Sequence, residues 1–199
     1  MIQTYRAIVA DPPWKYKNRS VKGLGKNPCN HYTCLTVEQI AALSLREIVT
    51  EDAILFLWVT GPFLDRAKEV ARGWGFAHFS GKAFTWVKQS PTGKSWHFGT
   101  GYWTRKNSED VWLFTRDVKP KRKNADVAEL LIAPRGKHSA KPEEMQTRVE
   151  RLVDGPYLEL FARRERPGWT CLGNEISGND IAEDLRALAL QPSLSLELH

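Results

Sequence analysis

Asp11-Pro12-Pro13-Trp14 concentrates more chemistry than any other four residues of the chain. The exocyclic amino group of an aromatic base is a poor nucleophile, because its lone pair is delocalised into the ring. A site that accepts hydrogen bonds from both N–H groups localises that pair and aims it at an electrophilic carbon. The Asp11 carboxylate and the Pro12 carbonyl oxygen are two such acceptors. The Pro12-Pro13 step fixes φ and removes two competing N–H donors, and Trp14 offers a ring to stack on the base. Asp11, Pro12, Pro13 and Trp14 therefore form the candidate catalytic set. Methyl transfer of this kind requires neither a covalent nucleophile nor a metal, since positioning and electrostatic stabilisation of the cationic amine carry it. A plain turn at the end of a strand is the alternative reading of the same four residues.

Two long segments hold no acidic residue. Residues 15–37 carry Lys15, Lys17, Arg19, Lys22 and Lys26, and residues 81–108 carry Lys82, Lys88, Lys94, Arg105 and Lys106. The second interleaves Trp86, Trp96, His97, Phe98, Tyr102 and Trp103, which is the mixture of cations and stacking surface that nucleic-acid grooves use. Solvated loops with aromatics packed underneath are the alternative. Lys15, Lys17, Arg105 and Lys106 are candidate phosphate contacts, which position a polymer without reading its sequence. Cys29, Cys34 and Cys171 are an odd count without a CxxC pair, so reduced thiols are expected. Cys29, His31 and Cys34 supply three metal ligands but no evident fourth, so no metal is expected.

Positioning these groups requires a scaffold, and the apolar patterning predicts one. Arg6–Ala10 reads as a buried strand stopped by Asp-Pro-Pro, which puts Asp11 at its carboxyl end. Thr36 to Gln39 resembles a capping box opening a helix to about Val49, followed by a buried strand at Ala53–Val59. A helix over Pro62–Trp74, strands over Phe76–Val87, Asp110–Thr115 and Ala128–Ala133, a helix over Pro142–Val153 and a strand over Tyr157–Phe161 continue the alternation. The prediction is an α/β fold with a mainly parallel sheet flanked by helices.

The chain has 199 residues, 42% hydrophobic and 26% charged, which excludes wholesale disorder, collagen and coiled coil. One domain over residues 1–189 is expected, with 190–199 as a disordered or appended tail. Ala53–Val59, the longest apolar run, is far short of the ~18 residues a membrane span needs, and the start lacks a signal-peptide pattern. A soluble cytoplasmic protein without a membrane partner is expected. A net charge of +6 favours an anionic partner.

DPPW after an apolar strand is joined in order by AILFLWVTG at 53–61, TWVK at 85–88, NSED at 107–110, RGKHSAKPEE at 135–144, ELFARRERPGW at 159–169 and CLGNE at 171–175. From about Tyr5 to Gly178 the chain thus resembles the DPPW-type N(6)-adenine methyltransferases. That family includes the catalytic subunit of the eukaryotic messenger-RNA adenosine methyltransferase and many bacterial and phage-borne members.

The resemblance implies S-adenosyl-L-methionine as cofactor. It also implies a Rossmann-like fold of permuted order, with the catalytic strand before the cofactor strand. On the cofactor side it implies Ala10, Asp11, Phe161, Arg163, Asn174 and Glu175, with Lys141 on a closing loop. Around the acceptor adenine it implies Tyr32, Trp86 and Glu109. Departures are a longer, more basic loop over 15–32, ARRER where eukaryotic members have GRP-H-N, and no CCCH zinc fingers. A stand-alone domain of this size is more similar to bacterial and phage members, so DNA is the expected polymer, with RNA as the alternative. A silent nucleic-acid-binding subunit would be expected to have lost Asp11 and Trp14, and both are present. A homodimer or a partner subunit also fits the family pattern.

Overall fold

The computed structural model describes residues 3–15, 34–99, 101, 103–136 and 140–191. Its centre is a seven-stranded sheet of order β5-β3-β4-β2-β1-β6-β7. The strands are β1 (Tyr5–Ala10), β2 (Val49–Val59), β3 (His78–Gln89), β4 (Ser108–Thr115), β5 (Leu130–Pro134), β6 (Tyr157–Leu160) and β7 (Trp169–Leu172). Only β4 opposes its neighbours; the other strands share one direction. The sheet is therefore mixed but mainly parallel, flanked by helices.

β1 and β2 read as unbroken apolar runs because both of their faces are covered. Ile8, Ala10, Leu55, Leu57 and Val59 face α1 (Val37–Ala41), α2 (Ala67–Gly73) and α5 (Ile181–Leu190). Ala7, Val9, Ile54, Phe56 and Trp58 face α3 (Glu144–Leu152), through Met145 and Val149. Central β1 lies between β2 and β6, both parallel to it. From β1 the chain crosses to β2 on one side, whereas β6 leads on to β7 on the other. The crevice at the carboxyl ends of such diverging strands is where open α/β sheets bind ligands.

Several boundaries differ from expectation. Thr36 does form the capping box with Gln39, but α1 ends at Ala41 instead of Val49. Leu43, Leu45 and Ile48 reach the core from tight turns, so their spacing mimics a helix that is not formed. β2 then starts at Val49, where Val49 pairs with Tyr5. The helix expected over Pro62–Trp74 is split into a 3-10 turn at Gly61–Phe63 and α2. β7, the short α4 (Asn174–Ser177) and α5 were not anticipated. Asp180 caps α5, and Ile181, Leu185 and Leu188 are buried, so folded structure reaches Leu190; residues 192–199 of the expected tail lie outside the described residues. Among the described residues no helix is long and apolar enough to cross a membrane.

Cys34 is disulfide-bonded, which corrects the expectation of three reduced thiols, while Cys171 is free. An odd count without CxxC spacing argues against a disulfide scaffold but does not exclude a single bond. Cys29 and His31 lie outside the described residues, and among those described no His/Cys/Asp/Glu group could hold a metal.

Candidate active site

Strand parity determines which side chains meet at the carboxyl edge. Ala7 and Val9 face α3, and two residues later Asp11 falls on the same face. Leu158 and Leu160 point the other way, which puts Glu159 of β6 on the α3 face as well. Val111 of β4 and Trp86 of β3 belong to this face, and Glu109 stands directly opposite Trp86. The segment ahead of α3 then delivers Lys141 into the middle.

Lys141 Nζ donates to Asp11 Oδ2 at 2.5 Å and lies 3.4 Å from Glu109 Oε2. Glu109 also accepts from Lys88 Nζ. The result is an alternating row, Asp11–Lys141–Glu109–Lys88, on a floor of tryptophan. Lys141 lies 5.1 Å above Trp58 and Lys88 lies 4.8 Å above Trp86, while the two rings meet edge to face at 6.3 Å. Alternation is what makes so much buried charge tolerable, since a desolvated ion is costly unless paired. Burial pushes the Glu109 carboxyl up, but the ammoniums of Lys141 and Lys88 outweigh it and hold the group below its ordinary range. Burial likewise opposes the Lys141 ammonium, and Asp11 and Glu109 more than compensate, so Lys141 is a fixed cation and not a base.

Asp11 is left with one oxygen clamped. Its Oδ1 has no partner among the described residues, and the carboxylate remains partly open to solvent. The Pro12 carbonyl accepts from the Trp14 N–H at 2.9 Å, which uses one lone pair and leaves the second. Pro13 O accepts from Leu35 N and Lys15 N donates to Leu35 O, so the tetrapeptide is braced by a bridge to Leu35.

Glu159 adds a further carboxyl beside Asp11. Burial pushes it above the ordinary range, and the Asp11 charge adds to this, against the hydrogen bonds from Gln146 Nε2 to both of its oxygens. A carboxyl raised on folding favours its protonated form, so folding stability is lost as pH rises through the raised value. Glu159→Gln removes that penalty and keeps an acceptor for Gln146. The variant is expected to melt higher than the wild type at pH 8, with the advantage gone at pH 4. A difference in melting temperature independent of pH would contradict this assignment.

The ends of β6 and β7 form the other half of the crevice. Phe161, just past β6, has φ 61°, a left-handed conformation that costs a non-glycine residue roughly 1–3 kcal/mol and marks a functional or strained position. Ala162 N donates to Leu172 O, and a Cβ on Gly173 would stand 2.3 Å from Ala162 O. Only glycine permits this approach. Gly173→Ala is expected to destabilise the fold by about 1–3 kcal/mol through forced separation of the two segments. Chemical denaturation reads that directly, and an unchanged midpoint would show that the segments are not locked together. Arg163 pairs with Glu175 at 3.5 Å, and Asn174 is exposed beside them.

The predicted site residues thus divide. Asp11, Lys141 and Glu109 are in contact, Pro12 and Pro13 are adjacent, and Phe161, Arg163, Asn174 and Glu175 border the same edge. Ala10 is fully buried and presents only backbone. Trp14 is 3% exposed and stacked on Phe63 at 5.1 Å, and Trp86 is 1% exposed with its Nε1 donating to Ala133 O. Both rings are buried in this arrangement, Trp14 against Phe63 and Trp86 beneath Lys88. Lys15, Arg105 and Lys106 are exposed; Lys17 and Tyr32 lie outside the described residues. Lys88, Glu159, Gln146 and Trp58 were missed. The first two carry a retrievable signal, since each lies on the Asp11 face by strand parity.

Comparison with known proteins follows this geometry. The MT-A70 family model matches residues 5–175. The Type II methyltransferase M.MunI of a Mycoplasma species is 29% identical over 194 residues, covering 89% of this chain and 80% of that protein. The N(6)-adenosine-methyltransferase MT-A70-like protein of Arabidopsis thaliana is 28% identical over 94% of this chain, and the human N(6)-adenosine-methyltransferase catalytic subunit METTL3 is 27% identical over 87%. The chain spans 26% and 28% of the lengths of those two proteins.

Proposed function

The chain belongs to the MT-A70 family, and from that premise we propose that it is an S-adenosylmethionine-dependent methyltransferase acting on the 6-amino group of adenine, in DNA in preference to RNA. The observation that carries the chemistry is Asp11, held through Oδ2 by Lys141, with no partner for Oδ1 among the described residues and with the Pro12 carbonyl next in the chain. Asp11 Oδ1 and Pro12 O accept from the two amino N–H groups, which localises the lone pair. As the amine becomes cationic, the Asp11 charge stabilises it, and the proton it sheds passes to Asp11 Oδ1 or to water. Lys141 and Glu109 hold the Asp11 carboxylate in place, so little reorganisation is needed when charge develops.

The cofactor supplies a methyl group on a positively charged sulfonium. The crevice at the β1 and β6 ends fits such a group: the partly exposed Asp11 carboxylate stands at one side, and the exposed Asn174 and Glu175 beyond β7 at the other. Phe161, Arg163, Asn174 and Glu175 would hold it, Glu175 as an acceptor for ribose hydroxyls, and Lys141 would meet its anionic end. On this reading the sheet is a Rossmann-like methyltransferase sheet in permuted order, with catalytic β1 preceding cofactor-side β6. The preference for DNA draws on the likeness to a type II methyltransferase, 29% identical over 89% of this chain.

Labelled methyl transfer from S-adenosylmethionine to sequence-matched double-stranded DNA, single-stranded DNA and RNA tests the proposal. Label in DNA is expected. Label confined to RNA would replace the polymer assignment, and no transfer to any polymer would overturn the proposal.

A further inference from the structure

In the arm that connects β3 and β4, the described residues 90–99 and 103–107 are tied to each other and to the strand ends. Ser90 N donates to Ser95 O, Trp96 bridges Gln89, and His97 N donates to Lys88 O at 2.9 Å. Gly99 N donates to Lys106 O at 2.8 Å, and Lys88 N to Asn107 O at 2.8 Å. A Cβ on Gly99 would come within 2.5 Å of Lys106 O, so the two sides of the arm are in close contact. The arm therefore springs from the strand ends that carry Lys88 and Glu109 and stands at the rim of the site.

On this fixed frame large aromatics face water. Trp96 is 50% exposed and Phe98 69%. Folding gains nothing from holding such rings in solvent, and an exposed apolar cluster rimmed by polar groups marks an interaction surface. Its surroundings are cationic. Lys94, Arg105 and Lys106 are exposed on the arm, Arg135 is tied to it through its N–H to Gln89 O, and no acid occurs from 81 to 108. His97 is held below its ordinary range, by burial first and then by the charges of Arg135 and Lys88, which reports the same positive field. A partner for this surface must be anionic and must present flat apolar faces. Nucleic acid with unpaired bases has both properties, whereas a closed duplex offers its phosphates and hides its base faces.

We propose that Trp96 and Phe98, with Lys94, Arg105 and Lys106 around them, form a stacking platform for unpaired bases flanking the target, so that this chain engages single-stranded or locally opened nucleic acid. The proposal rests on the nucleic-acid reading above and adds which form of the polymer is grasped and by which residues.

The test uses the full chain, without methyl donor, and a fluorescent oligo(dT) strand, which contains no adenine. The same strand paired with its complement serves as the duplex probe. Trp96→Ala/Phe98→Ala is expected to weaken single-strand binding about tenfold or more, with Trp96→Phe retaining most of the affinity and duplex binding little changed. Lys94→Ala/Arg105→Ala should instead flatten the salt dependence for both probes. Equal single-strand affinity in the aromatic variants, or equal losses for strand and duplex, would overturn the platform. So would light scattering that shows a wild-type dimer converted to a monomer by Trp96→Ala/Phe98→Ala, which would assign the surface to self-association. Because the probe cannot be methylated, Trp96-dependent binding by a chain that transfers no methyl group would sink the proposed activity and leave the platform standing. Methyl transfer indifferent to both aromatics would do the reverse.

Discussion

Asp11→Asn is expected to slow methyl transfer about 10³-fold at saturating substrate while changing cofactor affinity only a few-fold. The substitution is isosteric and its oxygen can still accept from Lys141, so the clamp survives. What changes is the atom presented to the amine. An NH2 group replaces Oδ1, setting donor against donor, and the negative charge that stabilises the cationic amine is lost. Removal of one preorganised electrostatic stabiliser typically costs 10²–10³ in rate, and loss of a proton acceptor acts in the same direction. Single-turnover rates with matched DNA measure this. A variant within tenfold of the wild type would show that Asp11 does not meet the amine.

Lys141→Met is expected to cost roughly 3 kcal/mol of folding stability at neutral pH, together with most activity. Lys141 is the shared cation of Asp11 and Glu109, and without it Asp11 loses its counterion while Glu109 keeps Lys88 alone. Breaking a buried pair by removing one partner typically costs 3–5 kcal/mol; the partial exposure of both carboxylates favours the lower end. The sign of the pH dependence follows from Glu109. Its carboxyl is held low in the folded protein, so its pairing contributes stability above the ordinary carboxylate range and loses it as pH falls through the depressed value. The gap between variant and wild type should therefore be widest near neutrality and close on acidification. A gap of constant size in urea titrations across that range would remove Lys141 from the centre of the row.

Much of this scaffold was legible in the residues. β1 and β2 announce themselves as apolar runs because helices cover both faces, and DPPW marks where β1 must stop, which places Asp11 at the carboxyl edge. The amphipathic pattern of α3 was equally plain. β7 was not, because its four half-buried residues, Trp169–Leu172, lack both a continuous apolar run and clean alternation. α5 did carry a signal, Asp180 followed by apolar positions 181, 185 and 188, but no element was assigned to that stretch of the domain.

The site was legible in its members more than in its contacts. Residue type does not say whether a tryptophan floors a site or faces a ligand. Trp14 and Trp86 were expected to touch the base and are buried, whereas Trp96 holds its ring in water. Lys88 and Glu159 become visible only once strand pairing assigns faces, because their relation to Asp11 is a matter of register and not of local spacing.

The measurement that bears most directly on this account is nucleoside mass spectrometry of unmethylated DNA after incubation with S-adenosylmethionine and either the wild-type chain or Asp11→Asn. N(6)-methyladenine from the wild type and nearly none from the variant is the predicted result. Methylation of a different base or ring position, or N(6)-methyladenine formed equally by both proteins, would contradict the claim that the Asp11 carboxylate and the Pro12 carbonyl aim an adenine amino group.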